Sequence, residues 1–363
     1  MTTRDLVVVG LGAVGAAALA DAAGRGVDVL GVEPHGIGHE KGASGGRSRI
    51  FRMAYKEGSE YLPLLRESRA RWDALQAATE EPFWLRTGVI TIGGRDHPGV
   101  VRLMECVAEG ALPHSVLAAA EAAQRWPRHR FAPDDVVVAD PQGGLLLPAA
   151  AIRAQVRAAQ RLGAEVVTGR VAAVDRAVGG FRLRLDDGSA VAARRVVVAC
   201  GAWAGDLVPA VAPLTELRRV VLHWYPTAVA DDFGPERFPV GIRHRRGQPD
   251  FSFFPQLDPG GIKVNWYLPK TPVGHAASPV NPVPAAYSRR VSPFVREVFD
   301  GVDPHASGAV AYVESYTPDL RPYVGPAGGG DGFCVVTGLS GQGFKMSPAL
   351  GRMAVDMALG VTS

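Results

Sequence analysis

The stretch Leu6-Val7-Val8-Val9-Gly10-Leu11-Gly12-Ala13-Val14-Gly15 decides the fold. Four apolar, strand-favouring residues end in Gly-x-Gly-x-x-Gly, and small helix-favouring residues run on to Ala23. A second apolar run, Val27 to Val32, closes on Glu33. This is a β-α-β unit of ordinary length. Gly10 permits the tight turn out of the strand, Gly12 lets backbone approach a pyrophosphate, and Gly15 lets helix and strand pack closely. The N–H groups at the helix start, around Ala13 and Val14, together with the helix dipole, favour an anionic group. Glu33 can accept hydrogen bonds from ribose hydroxyls and would repel a 2′-phosphate, which disfavours NADP. Alone, the glycine pattern could be a plain glycine-rich turn. With the strand before it, the helix after it and the acid in place, it points to dinucleotide binding.

Working outward, Gly42-Ala43-Ser44-Gly45-Gly46 reads as a loop and leads to Arg47-Ser48-Arg49-Ile50-Phe51-Arg52. Tyr61, Leu64, Leu65, Ser68, Trp72 and Leu75 recur at helical spacing on one face. Gly88 to Gly93 reads as a strand, and Pro148 opens a helix that runs to Leu162. Strands follow over Glu165–Thr168 and Val171–Val174, then a hairpin of Phe181–Leu185 and Ser189–Val198 turns at Asp187-Gly188. Val196-Val197-Val198 is continuous and apolar, as in a strand covered on both faces. Phe333–Thr337 repeats that texture. A glycine loop, Gly338 to Gly343, then opens a last helix from Phe344 to about Leu359.

Pieces of β-α-β character thus stand at the start, middle and end. The expected architecture is α/β: a Rossmann-like nucleotide domain from residues 1–45, 146–212 and 320–363, interleaved with an α+β substrate domain. That second domain, with a mixed antiparallel sheet, is expected from residues 46–145 and 213–319.

Lys and Arg number 39 against 36 Asp and Glu, for a formal net charge of +3, so nothing argues for nucleic acid. Hydrophobic residues are 47% of the chain, an ordinary globular share. The one dense basic run, Arg243-His244-Arg245-Arg246, reads as a short solvated loop, with an entrance or partner feature as the alternative. Three cysteines, Cys106, Cys200 and Cys334, lack metal-ligand spacing and read as buried thiols in a reducing, cytoplasmic setting. The Leu6–Ala20 apolar run is too short to span a membrane, and the glycine motif accounts for it better than an export signal does. No metal, membrane or nucleic-acid partner is expected, and nothing demands a second subunit, so a monomer is.

An NAD dehydrogenase usually keeps a contiguous nucleotide domain. A sheet completed by distant strands suits FAD instead. At this point a family becomes recognisable, carried by the glycine motif with Glu33, by Ser44-Gly45-Gly46-Arg47-Ser48-Arg49-Ile50-Phe51-Arg52, and by Gly58 to Leu64. Thr87-Gly88-Val89, Cys200-Gly201-Ala202-Trp203, Thr317-Pro318-Asp319 and Gly338-Leu339-Ser340-Gly341-Gln342-Gly343-Phe344-Lys345 extend it. Over essentially its whole length the chain resembles the monomeric sarcosine oxidase and N-methyltryptophan oxidase family of FAD-dependent amine oxidoreductases. The resemblance implies that Ser44, Arg47, Ser48 and Arg49 wrap the FAD, with further cofactor contacts at Val171, Gly201, Trp203, Gly341, Gly343, Phe344 and Lys345. It implies that Arg52 and Lys345 grip a substrate carboxylate, and that Lys263, above the other flavin face, promotes reaction with O2. The structural alternatives are an ion-pair role for Arg52, a salt bridge for Arg49, an exposed strand position for Lys263, and a capped loop for Lys345.

The chain also departs from the family. No cysteine lies between Cys200 and Cys334, where the family attaches FAD covalently, so FAD is expected to bind non-covalently. Tyr267, Glu314 and Gln342 stand where the family's sarcosine oxidases carry other pocket residues, and Gly45 stands where they carry a histidine. The expected reaction is oxidation of the C–N bond of a secondary or cyclic amino acid. Hydride passes to flavin N5, an imine forms and O2 becomes H2O2. Two alternatives are a dehydrogenase that passes electrons from a biosynthetic imino acid to another acceptor, and a flavin-binding subunit without turnover.

Overall fold

The computed structural model describes residues 3–328 and 330–361. The strand Thr3–Val9 lies inside an eight-stranded sheet, parallel to Val29–Glu33 on one side and to Ala190–Val198 on the other. Glu165–Thr168 extends the sheet past Val29–Glu33. Ala190–Val198 serves two partners on one edge: its first half pairs antiparallel with Gly180–Leu185, and its second half pairs in parallel with Phe333–Thr337. Val196, Val197 and Val198 are fully buried, the outcome their apolar run predicts for a strand covered on both faces.

The helix Ala13–Gly24 packs against Pro148–Arg161 and the C-terminal helix Gly343–Leu359. Its alanines make close approach possible. A Cβ at Gly351 would fall 2.7 Å from both Ala17 Cβ and Ala18 N, so these helices meet at a distance that only glycine permits.

A second, nine-stranded sheet contains Val89–Gly94, Asp135–Asp140, Glu216–Tyr225, Val240–Arg243, Phe251–Phe254, Ile262–Trp266 and Gly308–Tyr316. Val240–Arg243 runs parallel to Val89–Gly94, and the other pairings are antiparallel. A cluster rich in aromatic rings, including Phe233, Phe238, Phe251, Phe253, Trp266 and Phe299, packs among these elements. A small sheet joins Arg49–Phe51 to Gly144–Leu146 and Trp84–Leu85.

Three sequence expectations need correction here. Arg243 to Arg246 is not a solvated loop. Arg243 ends a strand and is buried against Asp135 at 2.7 Å, His244 is buried, and only Arg246 is well exposed. An acid opposite each cation makes that burial tolerable: Asp135, Glu297 and Asp96 pair with Arg243, Arg245 and Arg246. Cys106 and Cys334 are buried as expected, but Cys200 is only half buried, with its thiol 3.4 Å from the Val9 carbonyl. The helix read from Tyr61 onward begins at Leu62, after a 3-10 turn over Ser59–Tyr61. No helix of the described residues is long and apolar enough to cross a membrane.

Candidate active site

At the end of Thr3–Val9, Gly10 turns with φ +85°. A Cβ on Gly15 would lie 1.7 Å from the Gly10 carbonyl oxygen, so both glycines are obligatory to the turn. Gly12 stands before the Ala13–Gly24 helix without any side-chain cap, leaving the first N–H groups available to a ligand. Gly10, Gly12, Ala13 and Val14 face a cavity of about 340 Å³ together with Glu33, Arg170, Val171, Cys200, Gly201 and Trp203. Gly15 lies beneath the turn, outside that lining.

Glu33 is buried, and its carboxylate accepts from Leu11 N–H at 2.8 Å and His35 N–H at 3.0 Å, with His39 Nε2 at 3.2 Å. Burial pushes this carboxyl up, but His39 and the two backbone N–H groups outweigh it and hold it below the ordinary value. The ionised acid is thereby fixed at the end of its strand. Residue spacing gave no sign of His39.

A second cavity, of about 900 Å³, adjoins the first; both are lined by Ala13, Ala43, Ser44, Gly201, Ala202 and Leu339. It gathers Ser48, Arg49, Arg52, Lys263 and Lys345 from three separate parts of the chain. Arg49 donates to the carbonyls of Ser48 at 2.8 Å and of Ala43 and Gly45 at 2.5 Å each, so it braces the 43–48 loop. Lys263, buried on the strand Ile262–Trp266, donates to the carbonyls of Gly46 at 3.0 Å and Ser48 at 2.6 Å, and its ammonium sits 3.7 Å from the Phe254 ring centroid. Burial, with Arg49 and Arg47 nearby, pushes its pKa well below the ordinary lysine value.

Arg52 is buried, and its Nη2 donates to both oxygens of Glu57, at 2.9 and 2.8 Å. Its Nε and Nη1 are buried without a partner. Such orphaned charged donors are costly unless a ligand meets them. Lys345 lies in the first turn of the C-terminal helix, where its ammonium donates to the Gln342 carbonyl at 3.0 Å and to Tyr55 Oη at 3.3 Å. Burial and the Arg52 charge push Lys345 down to about 7, against the pull of Glu57 and Glu314. Two cations close enough to repel, one with free donors, are chemically able to bind an anion.

The wall beyond them is polar. Tyr55 Oη donates to Gln342 Oε1 at 2.5 Å, and Tyr316 Oη donates to Glu314 Oε2 at 2.7 Å and also contacts Lys270. Tyr267 lines the same cavity, which accounts for its partial exposure. Gly45 is held as glycine by Tyr312, whose ring would lie 2.5 Å from a Cβ there.

The structure therefore brings Arg49, Arg52, Lys263, Tyr267, Glu314, Gln342 and Lys345 to one cavity, with Ser44, Ser48, Gly201, Gly341, Gly343 and Phe344. It does not bring Arg47 there. That side chain turns outward, pairs with Asp258 at 2.6 Å and stacks on Trp224, with φ +66° at its backbone. Sequence reading missed Tyr55, Glu57, Lys270 and Tyr316. The first two lie within five residues of Arg52, which was the available signal.

The family profile described as "FAD dependent oxidoreductase" matches residues 5–357. The chain belongs to this DAO family. An N-methyl-L-tryptophan oxidase of Salmonella dublin is 30% identical over 368 residues, covering 99% of this chain and 95% of the relative. One of Citrobacter koseri is 29% identical over 359 residues, covering 98% and 95%. Among solved structures, NikD, "an unusual amino acid oxidase essential for nikkomycin biosynthesis", shares the fold with a TM-score of 0.85 at 22% identity, over 100% of this chain and 95% of that one. Glycine oxidase from Geobacillus kaustophilus does so with a TM-score of 0.77 at 19% identity, over 100% and 96%.

This DAO-family oxidoreductase uses FAD, and its cavities fit that molecule. The smaller cavity has glycines, an uncapped helix start and a fixed carboxylate, as an adenosine diphosphate moiety requires. The larger one continues from it and is ringed by cations, as suits a flavin that gains negative charge on reduction.

Proposed function

We propose that the protein oxidises the C–N bond of an amino acid whose amine is secondary or cyclic. The observation that carries this reading is Arg52. Two of its donors are buried and unpartnered, and with Lys345 it lines the cavity that continues the dinucleotide cavity. In this reading Gly10, Gly12 and the Ala13–Gly24 helix start hold the FAD diphosphate, Glu33 holds its ribose, and the 43–49 loop covers the flavin. Bound FAD supplies the two-electron acceptor, and the protein supplies orientation and field.

Arg52 and Lys345 fix the substrate carboxylate, which positions the carbon beside nitrogen for reaction. Each charge-assisted bond contributes about 1.5–3 kcal/mol. Glu57 holds Arg52 in place, and Tyr55 with Gln342 holds Lys345. The relatives named for N-methyl-L-tryptophan support an N-substituted amino acid as the substrate class. Tyr267, Glu314 and Tyr316 border the amine side.

We assign the second half-reaction to O2, with Lys263 beside the flavin favouring the charge that forms there. The absence of cysteine from the larger cavity's lining supports non-covalent FAD. Turnover with O2 is compared with turnover on an artificial dye. Faster turnover with O2, slowed by Lys263→Met, fits the oxidase reading. Turnover on the dye alone makes the enzyme a dehydrogenase.

A further inference from the structure

Three acids line the larger cavity: Glu57, Asp250 and Glu314. Glu57 is taken by Arg52 and Asp250 by His244, whereas Glu314 forms no ion pair among the described residues. We propose that Glu314 binds the protonated nitrogen of the substrate, so that the enzyme selects amino acids with an aliphatic, strongly basic amine over those whose nitrogen is conjugated and uncharged. Glu314 acts in this way only with the substrate carboxylate held at Arg52 and Lys345, the placement proposed above.

Strand geometry brings the acid to the cavity. Along Gly308–Tyr316, the side chains of Tyr312, Glu314 and Tyr316 alternate onto one face, and all three residues line the cavity. Tyr316 Oη donates to Glu314 Oε2 at 2.7 Å, and Lys270 Nζ donates to Tyr316 Oη in turn. Burial and the charge of Glu314 push the Tyr316 hydroxyl far up, so it stays protonated and keeps donating. One carboxylate oxygen is thereby tethered, while Oε1 takes no hydrogen bond among the described residues. The glycine loop before the C-terminal helix closes on the pair: a Cβ at Gly341 would lie 3.2 Å from Tyr316 Oη and 3.4 Å from Glu314 Oε2. Lys345 follows that loop in the first turn of the helix, and the charge of Glu314 acts on both Lys345 and Arg49.

Electrostatics makes this carboxylate decisive. Arg49, Arg52 and Lys345 line the same cavity, and unaided they would repel an ammonium. A carboxylate bonded to that ammonium offsets the repulsion, because charge-assisted hydrogen bonds are about twice as strong as neutral ones. An uncharged nitrogen gains no such stabilisation. Lys270 does not quench the acid by direct contact, since Tyr316 stands between them and burial pushes the lysine below its ordinary pKa. An α-amino acid carries its ammonium and carboxylate on the same carbon, so a carboxylate on Arg52 and Lys345 keeps the nitrogen at that end of the cavity. The charge is read as the substrate enters, before the nitrogen gives up its proton for oxidation.

The test titrates FAD-loaded protein calorimetrically at neutral pH with 2-aminoisobutyrate and with 2-hydroxyisobutyrate. The two share their size and carboxylate and differ in an ammonium against a hydroxyl. The amino acid is not turned over, because the only carbon on its nitrogen bears no hydrogen. Wild type is expected to hold the amino acid more tightly. Glu314→Gln, which keeps the shape and the Tyr316 bond, lowers affinity for the amino acid by about tenfold or more and leaves that for the hydroxy acid unchanged. Glu314→Asp keeps the charge and part of the preference. A Glu314→Gln protein with the same preference as wild type, or a wild type that favours the hydroxy acid, overturns the proposal. A failed carboxylate reading gives a different pattern, in which neither compound binds wild type or Arg52→Ala binds both as tightly, and Glu314 then loses its role as well.

Discussion

Arg52 spends one nitrogen on both oxygens of Glu57 and leaves two others bare in a buried site. That imbalance gives the first prediction. Arg52→Ala raises KM for the carboxylated substrate roughly 10- to 100-fold, the equivalent of about 1.5–3 kcal/mol, while the flavin content of the purified protein is unchanged. An unchanged KM sinks the receptor assignment. Lys345 gives the second. With its pKa near 7, its cation is present below that pH and lost as pH rises through it. Substrate affinity therefore falls above pH 7, and binding at pH 8 takes up a proton, because the carboxylate raises the lysine's pKa. Lys345→Met removes this limb from the KM profile, and a variant that keeps it shows that another group titrates. Lys263→Met slows reoxidation by O2 by about 10²-fold or more in stopped-flow mixing, with reduction of the flavin by substrate little changed.

Elements show where sequence reading works and where it stops. Glu165–Thr168 and Phe333–Thr337 were placed to the residue, because apolar runs bounded by glycine carry a period and two breakers. The stretch 213–319 gave no element boundaries, although it forms much of the second sheet. Its strands Val240–Arg243, Phe251–Phe254 and Ile262–Trp266 are short, Glu216–Tyr225 and Gly308–Tyr316 are long, and all owe their form to pairing with distant partners, which local periodicity does not record. Arg243 illustrates the cost. As sequence it belongs to a basic run, yet Asp135, 108 residues away, buries it. Lys263, Lys345 and Arg52 were reached through family resemblance, Tyr55 and Glu57 carried only their nearness to Arg52 as a signal, and Lys270 and Tyr316 depend on geometry alone. Packing of elements also carries a prediction. Gly351→Val forces a side chain into the Ala17–Ala18 contact and destabilises the fold by about 1–3 kcal/mol, read as a lower midpoint in chemical denaturation. A midpoint equal to wild type would mean the helices are free to separate there.

On the scale of the whole molecule, two sheets meet around adjoining cavities, one suited to a dinucleotide and the other ringed by cations. Because the three cysteines stay outside the cation-lined cavity, acid precipitation should release all the yellow colour into the supernatant, and colour retained in the washed pellet would mean a covalent link. The central claim joins both cavities: a carboxylate held at Arg52 and Lys345 presents its amine to bound FAD. The most direct measurement is the visible flavin spectrum of the purified protein during anaerobic titration with N-methyl and cyclic amino acids, each paired with the same amine lacking its carboxylate. The account predicts that at least one amino acid bleaches the flavin band and that its decarboxylated partner does not. Equal bleaching by both members of the pair, or a flavin band that no amine in the series bleaches, would contradict it.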